Sequence, residues 1–201
     1  MTKPAPLFAA ILAPAILVAG CATPAYVSPV EVTRFTGTTP AFLGQGTIQI
    51  TPASGIEADS LEFSVYRDAV RRELEALGYR VVAFNGDQVA QIDIEEYVAG
   101  ERGRRSPVGV GVGGSTGTYG SGVGVGIGIN LGGNRPRETI QREVFVGIKR
   151  PADDMNLWEG RAVMGATANS DYASDSAAAG RMAAALFSDF PGVSGETIAV
   201  E

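Results

Sequence analysis

Two stretches of this chain alternate apolar and polar residues over ten or more positions, and that alternation is the strongest constraint on what it can fold into. In Val89–Val98, Ile92 and Ile94 fall on one side of an extended chain, and Gln91, Asp93 and Glu95 on the other. Glu138–Lys149 repeats the pattern through Ile140, Val144, Val146 and Ile148. A period of two places successive side chains on opposite faces of a sheet, so one face is covered and the other is wet. Val30–Phe35, Thr47–Thr51, Arg80–Phe84 and Leu157–Ala168 read as further strands, with Asn85-Gly86 a turn signal between two of them.

Two segments carry helical spacing instead. Phe63, Tyr66, Val70, Leu74 and Leu77 recur at three or four residues, preceded by Asp59 and Glu62 at capping-box separation and followed by Gly78 as the stop. Ser174–Phe190 brings Met182, Leu186 and Phe190 onto one side, ends at Pro191-Gly192, and is alanine-rich around Ala177–Ala185. The order strands, helix, strands, helix predicts an α+β two-layer sandwich. Its sheet is largely antiparallel, two helices lie on one face, and a Gly-rich β-hairpin forms an excursion.

The N-terminus is a different kind of segment. Met1–Lys3 is weakly positive, and Leu7–Val18 is apolar but too short for the roughly 20 residues of a membrane-spanning helix. It leads into Leu17, Val18, Ala19, Gly20 and Cys21, the only cysteine, in an arrangement that looks like a bacterial lipobox. Leu17 to Gly20 then form the signal-peptidase recognition site, and Cys21 is the lipidation site. The buried acyl chains, at about 0.8 kcal/mol per methylene, hold the domain to a bilayer. The expected organisation is a signal peptide over 1–20, a lipidated tether over 21–29 and one domain over 30–201. Ala22 after the cysteine implies, by likeness to lipoproteins of Gram-negative bacteria, the periplasmic face of the outer membrane.

Composition excludes several chemistries. Removing residues 1–20 leaves 15 basic against 22 acidic residues, a net charge of about −7, which makes nucleic acid an improbable partner. With Cys21 acylated no thiol remains for a disulfide, and the absence of histidine removes Ser-His-Asp and Cys-His arrangements and the commonest transition-metal ligand. No cofactor beyond the covalent lipid is expected. Asp93, Glu95 and Glu96, or Asp153 with Asp154, are candidate carboxylate or calcium groups, although strand acids usually form a solvated face and turn acids usually cap the turn. Trp158, the only tryptophan, reads as core or sheet-face packing.

Val108–Gly133 is about half glycine. Val108, Val110 and Val112, then Val123, Val125, Ile127, Ile129 and Leu131, alternate with it and read as two arms of a long hairpin with one bare face. Gly109, Gly111 and Gly114 match a dinucleotide fingerprint formally, but no good strand precedes them and no helix follows. Arg102, Arg104 and Arg105 before the run, and Arg135, Arg137 and Arg142 after it, would form a basic collar suited to lipid headgroups or a partner. Alternatives are a Gly-rich excursion without such a role and homotypic strand pairing.

Phe63–Tyr79, Gly86-Asp87 before an alternating strand, Asn156-Leu157-Trp158-Glu159-Gly160, and Leu186-Phe187-Ser188-Asp189-Phe190-Pro191-Gly192 occur in this order behind the lipobox. This set resembles the bacterial lipoprotein family catalogued as domain of unknown function 4136, over roughly Val30–Glu196. The resemblance implies localisation and fold; the family carries no catalytic residues to transfer. One departure is the second strand, Thr47–Thr51, where an aromatic-rich strand is expected. The function expected is a non-enzymatic lipid-anchored envelope protein whose partners are the membrane and an envelope protein. The alternative is a binding module for an envelope lipid or glycan with a pocket between helices and sheet.

Overall fold

The computed structural model describes residues 24–99 and 139–201. Among them, one sheet contains β1 (Val30–Thr36), β2 (Thr47–Pro52), β3 (Arg80–Val82), β4 (Gln88–Ala99), β5 (Thr139–Arg150), β6 (Met155–Ala166) and β7 (Thr197–Val200). The spatial order is β3-β2-β4-β5-β6-β1-β7, and the helices are α1 (Leu61–Ala76) and α2 (Asp175–Phe187). This is the expected α+β sandwich, with both helices on one face. The Gly-rich run lies outside the described residues.

The alternation read from the sequence sets which face is covered. Ala90, Ile92, Val144, Val146, Ile148, Ala162 and Met164 lie on the helix side and are buried together with Val30, Val32 and Ile48. From the helices they meet Phe63, Tyr66, Val70 and Leu74 of α1 and Ala178, Ala179, Met182 and Leu186 of α2. The alanines of α2 let that helix lie close to α1 and the sheet, as their small side chains predict.

Strand pairing departs from simple hairpins at one edge. β4–β5, β5–β6, β1–β6 and β1–β7 are antiparallel, but β2 pairs parallel to both β3 and β4. The Asn85-Gly86 turn is present, with Asn85 at φ 54°, yet it joins two strands on opposite sides of β2. The connection crosses β2 so closely that a Cβ on Gly86 would sit 2.6 Å from the Gln49 nitrogen. Asp87 fixes the crossing by accepting from the Thr47 hydroxyl at 2.6 Å.

Helix ends also differ in detail. The α1 cap is Ser60, whose hydroxyl accepts from the Phe63 N–H at 3.1 Å, one residue later than the Asp59–Glu62 spacing suggests. Gly78 follows the helix at φ 103°, and Tyr79 packs back into the core as expected. α2 stops at Phe187, so Phe190 belongs to the turn beyond it.

Candidate functional site

Cys21, Leu17–Gly20, Arg102, Arg104, Arg105, Val123, Val125, Ile127, Ile129, Arg135 and Arg137 lie outside the described residues. The structure does place the points at which the segments carrying them join the domain. Tyr26 is pinned to the residue after β6: its N–H donates to the Thr167 hydroxyl at 2.9 Å, and its carbonyl accepts from the Thr167 N–H at 2.9 Å. Ser28 bonds Gly165 in both directions, at 2.8 and 2.9 Å. The stretch read as a tether over 21–29 is therefore fixed from Tyr26 onward. At the neighbouring strands, Ala99 pairs with Thr139 and Ile140 with Ala166, so residues 100–138 leave and rejoin the same end of the sheet that holds Tyr26.

The densest polar group converges on Arg142. It is not part of an exposed collar: it shares the phase of Val144 and Val146, and its side chain is only 3% exposed beneath the helices. Its Nε is 2.8 Å from Glu96 at the end of β4, and one Nη is 3.0 Å from Asp175 at the start of α2. The guanidinium also donates to the carbonyls of Tyr172 (3.2 Å) and Ala173 (2.8 Å) in the 3₁₀ turn before that helix. Tyr66 of α1 lies close enough to feel these charges. Burial pushes its hydroxyl far above the usual tyrosine range, Arg142 opposes this, and Asp175, Glu96 and Glu62 reinforce it.

The carboxylates read together from the sequence are not together. Strand alternation sends Glu96 to the helix side and Asp93 and Glu95 to the outer face. Asp153 pairs with Arg150, whose hydrogen bond holds its carboxyl below the usual range, and Asp154 sits in the turn at φ 53°. Among the described residues no group of three His, Cys, Asp or Glu is placed to hold a metal ion.

On the outer face Glu143 of β5 stands directly opposite Glu95 and lies 2.7 Å from Arg161 of β6. Burial raises its carboxyl above the ordinary value; Arg161 works against the shift, and Glu95 and Asp93 add to it. A raised folded value means that the folded state holds this proton more tightly than the unfolded one. The group's stability contribution is then greatest at low pH and falls as pH rises through the folded value. Glu143→Gln removes that loss. Urea denaturation is expected to show the variant more stable than the parent at pH 7 by a few tenths to about 1 kcal/mol, the scale of a cross-strand pair, with the gap closing near pH 4. A less stable variant at pH 7 would refute the sign.

Two of the segments that carry the family resemblance, Asn156–Gly160 and Leu186–Gly192, meet at the other end of α2. Trp158 stacks on Phe187 (5.4 Å between centroids) and meets Phe190 at 5.2 Å, while its Nε1–H donates to the Pro191 carbonyl at 2.9 Å. Its ring lies over Gly160, where a Cβ would overlap it. Arg34 of β1, also buried, caps α2 by donating to the carbonyls of Leu186 (2.9 Å) and Ala185 (2.8 Å) and to Ser188 Oγ (3.0 Å). Neither Arg34 nor Arg142 stands out by composition. The signal for both is phase, since each occupies a covered-face position in its strand.

Residues 38–192 match the family described as domain of unknown function (DUF4136). Among solved structures, two crystal forms of a PelC dodecamer from Paraburkholderia phytofirmans align at 13% identity, with TM-scores of 0.42 and 0.43 over 79% of this chain and 95% of that one. A PDZ domain protein from Parabacteroides distasonis aligns at 12% identity and a TM-score of 0.50, over 87% of this chain and 38% of that one. At such identity the likeness is one of fold alone. No curated protein matches the chain.

Proposed function

The chain belongs to the DUF4136 family, and on that premise we propose that it is a non-enzymatic, lipid-anchored protein of the bacterial envelope, a scaffold or docking platform at the periplasmic face of the outer membrane. The observation that carries this reading is where the buried polar side chains are spent. Arg34 and Arg142 hold the two ends of α2, and Gln88 donates to the carbonyls of Phe42 (2.8 Å) and Gln45 (3.1 Å). Thr167 clamps Tyr26, and Thr139 accepts from Gln141. Each of these groups is committed to holding the fold, which favours a platform over a reaction site. The lipobox at Leu17–Cys21 supplies the attachment. Among the described residues no helix is long and apolar enough to cross a membrane.

The alternative, a ligand pocket between helices and sheet, is less well supported. That space is occupied by Trp158, Tyr66, Phe63, Ile48 and Leu74, each almost fully buried. The outer sheet face and the 100–138 segment are the proposed partner surfaces.

Cys21→Ser tests the reading. Intact mass of the parent chain is expected to show loss of residues 1–20 and acylation, and the parent to fractionate with membranes. The variant is expected to lose acylation and leave the membrane fraction. An unmodified thiol with residues 1–20 still attached would overturn the proposal. Crosslinking of the anchored chain in native envelopes is then expected to recover a protein partner in amounts comparable to the bait.

A further inference from the structure

We infer that the domain stands on the bilayer by one end, the end of the sheet marked by Ala166, Thr139 and Ala99, with Leu61, Tyr97 and Val98 at the lipid surface. The inference rests on the lipidation reading above and adds an orientation to it. Cys21 is five residues from Tyr26, and a fully extended chain covers about 3.3–3.6 Å per residue, so the anchor reaches no further than about 18 Å from the sheet. Tyr26 and Ser28 are bonded to the end of β6, so no slack follows. β5 and β6 are 12 residues each, about 40 Å at 3.3 Å per residue, more than twice the tether. The far end, at the Pro151–Asp154 turn, therefore cannot be the one that stands on the membrane.

The remaining alternative is a domain lying flat, and surface chemistry disfavours it. The outer sheet face presents Glu31, Asp93, Glu95, Glu143 and Glu159 against Lys149 and Arg161. A net negative face is repelled by the anionic lipids of a bilayer and costly to dehydrate. The exposed side of α1 is charged and mixed, with Glu62, Asp68 and Glu75 against Arg71 and Arg72, and its large exposed apolar side chain is Leu61 in the first turn. At the anchored end, by contrast, Arg142 pairs with both Glu96 and Asp175 and offsets one of their two charges. Three large apolar side chains are exposed there, Leu61 (85%), Tyr97 (38%) and Val98 (40%); Phe35, Phe42, Phe84 and Val193 are exposed too, but they lie toward the opposite end, which the tether keeps off the membrane. Leu61 belongs to this end because α1 runs from it, past Tyr66 beside Arg142, to Leu77 and Tyr79 near Gln88 at the other. Tyrosine and aliphatic side chains suit the headgroup boundary. The sequence also ties five arginines, at 102, 104, 105, 135 and 137, within six residues of the Ala99 and Thr139 strand ends.

The test uses the full acylated chain, in which an introduced cysteine is the one free thiol. Val98→Cys and Ala152→Cys are labelled with a fluorophore and bound to vesicles of phosphatidylethanolamine and phosphatidylglycerol carrying a nitroxide on the headgroup. Quenching is expected to be several-fold stronger at position 98 than at 152. Equal quenching, stronger quenching at 152, or none at either site in an acylated chain that floats with the vesicles overturns the orientation alone. A chain whose intact mass shows no acyl group and which does not float overturns the lipidation reading and this inference together. Tyr97→Cys replaces Val98→Cys if circular dichroism shows that variant misfolded.

Discussion

Trp158→Ala is expected to lower the unfolding free energy by about 3–5 kcal/mol, the range for deleting a buried aromatic side chain. Three losses fall together. The cavity opens where Trp158, Phe187 and Phe190 now contact one another. The Pro191 carbonyl loses its donor, and Gly160 loses the ring that covers its backbone. A domain with 5–15 kcal/mol in total cannot lose that much without a visible drop in yield of folded protein. Trp158→Phe separates the terms: it keeps an aromatic ring and discards the indole N–H, so it is expected to cost about 1–2 kcal/mol less than the alanine variant. Denaturant titration followed by far-ultraviolet circular dichroism measures both, since the fluorescence of the only tryptophan disappears with it. A loss under about 1 kcal/mol for the alanine variant would mean that this cluster does not hold the end of α2.

The same cluster shows how far the sequence could be read. Leu186–Gly192 was legible as a helix stop, but the return of Phe190 onto Trp158 was not, because it depends on α2 ending at Phe187 and on the turn geometry beyond it. The long strands were legible since period-two alternation needs one covered face, and β4 and β5 lie within about a residue of where the pattern puts them. β7 carries no comparable signal: Thr197–Val200 is four residues long, and only its pairing with β1 makes it a strand. The parallel pairing of β2 was hidden for a related reason. Asn85-Gly86 reports a local turn, whereas which strand it leads beside is decided by the close passage of Gly86 over β2. Arg142, read as part of an exposed collar, and Arg34, not singled out at all, were the costliest misses. A charged side chain is ordinarily read as surface, and in each case the backbone carbonyls at a helix end outweigh the cost of burying a guanidinium.

Arg142→Ala is accordingly expected to be the second most damaging substitution, at about 2–4 kcal/mol. Removing one partner of a buried ion pair costs about 3–5 kcal/mol when the other charge is stranded. Here Glu96 and Asp175 are 42% and 46% exposed and can rehydrate, which lowers the figure. What cannot be made good is the loss of donors to the Tyr172 and Ala173 carbonyls, and the void beside Tyr66. The damage should also be local. Hydrogen exchange is expected to speed up at Ala173–Ala178 and at Glu96–Ala99, and to change little at β1 and the far end of β6, since these do not contact the guanidinium. Glu96→Gln, which removes only a half-exposed partner, is expected to cost less than about 1 kcal/mol. If the two variants proved equally destabilising, or if exchange rose uniformly, Arg142 would be filling space and not fastening the Ala99–Thr139 end of the sheet to α2.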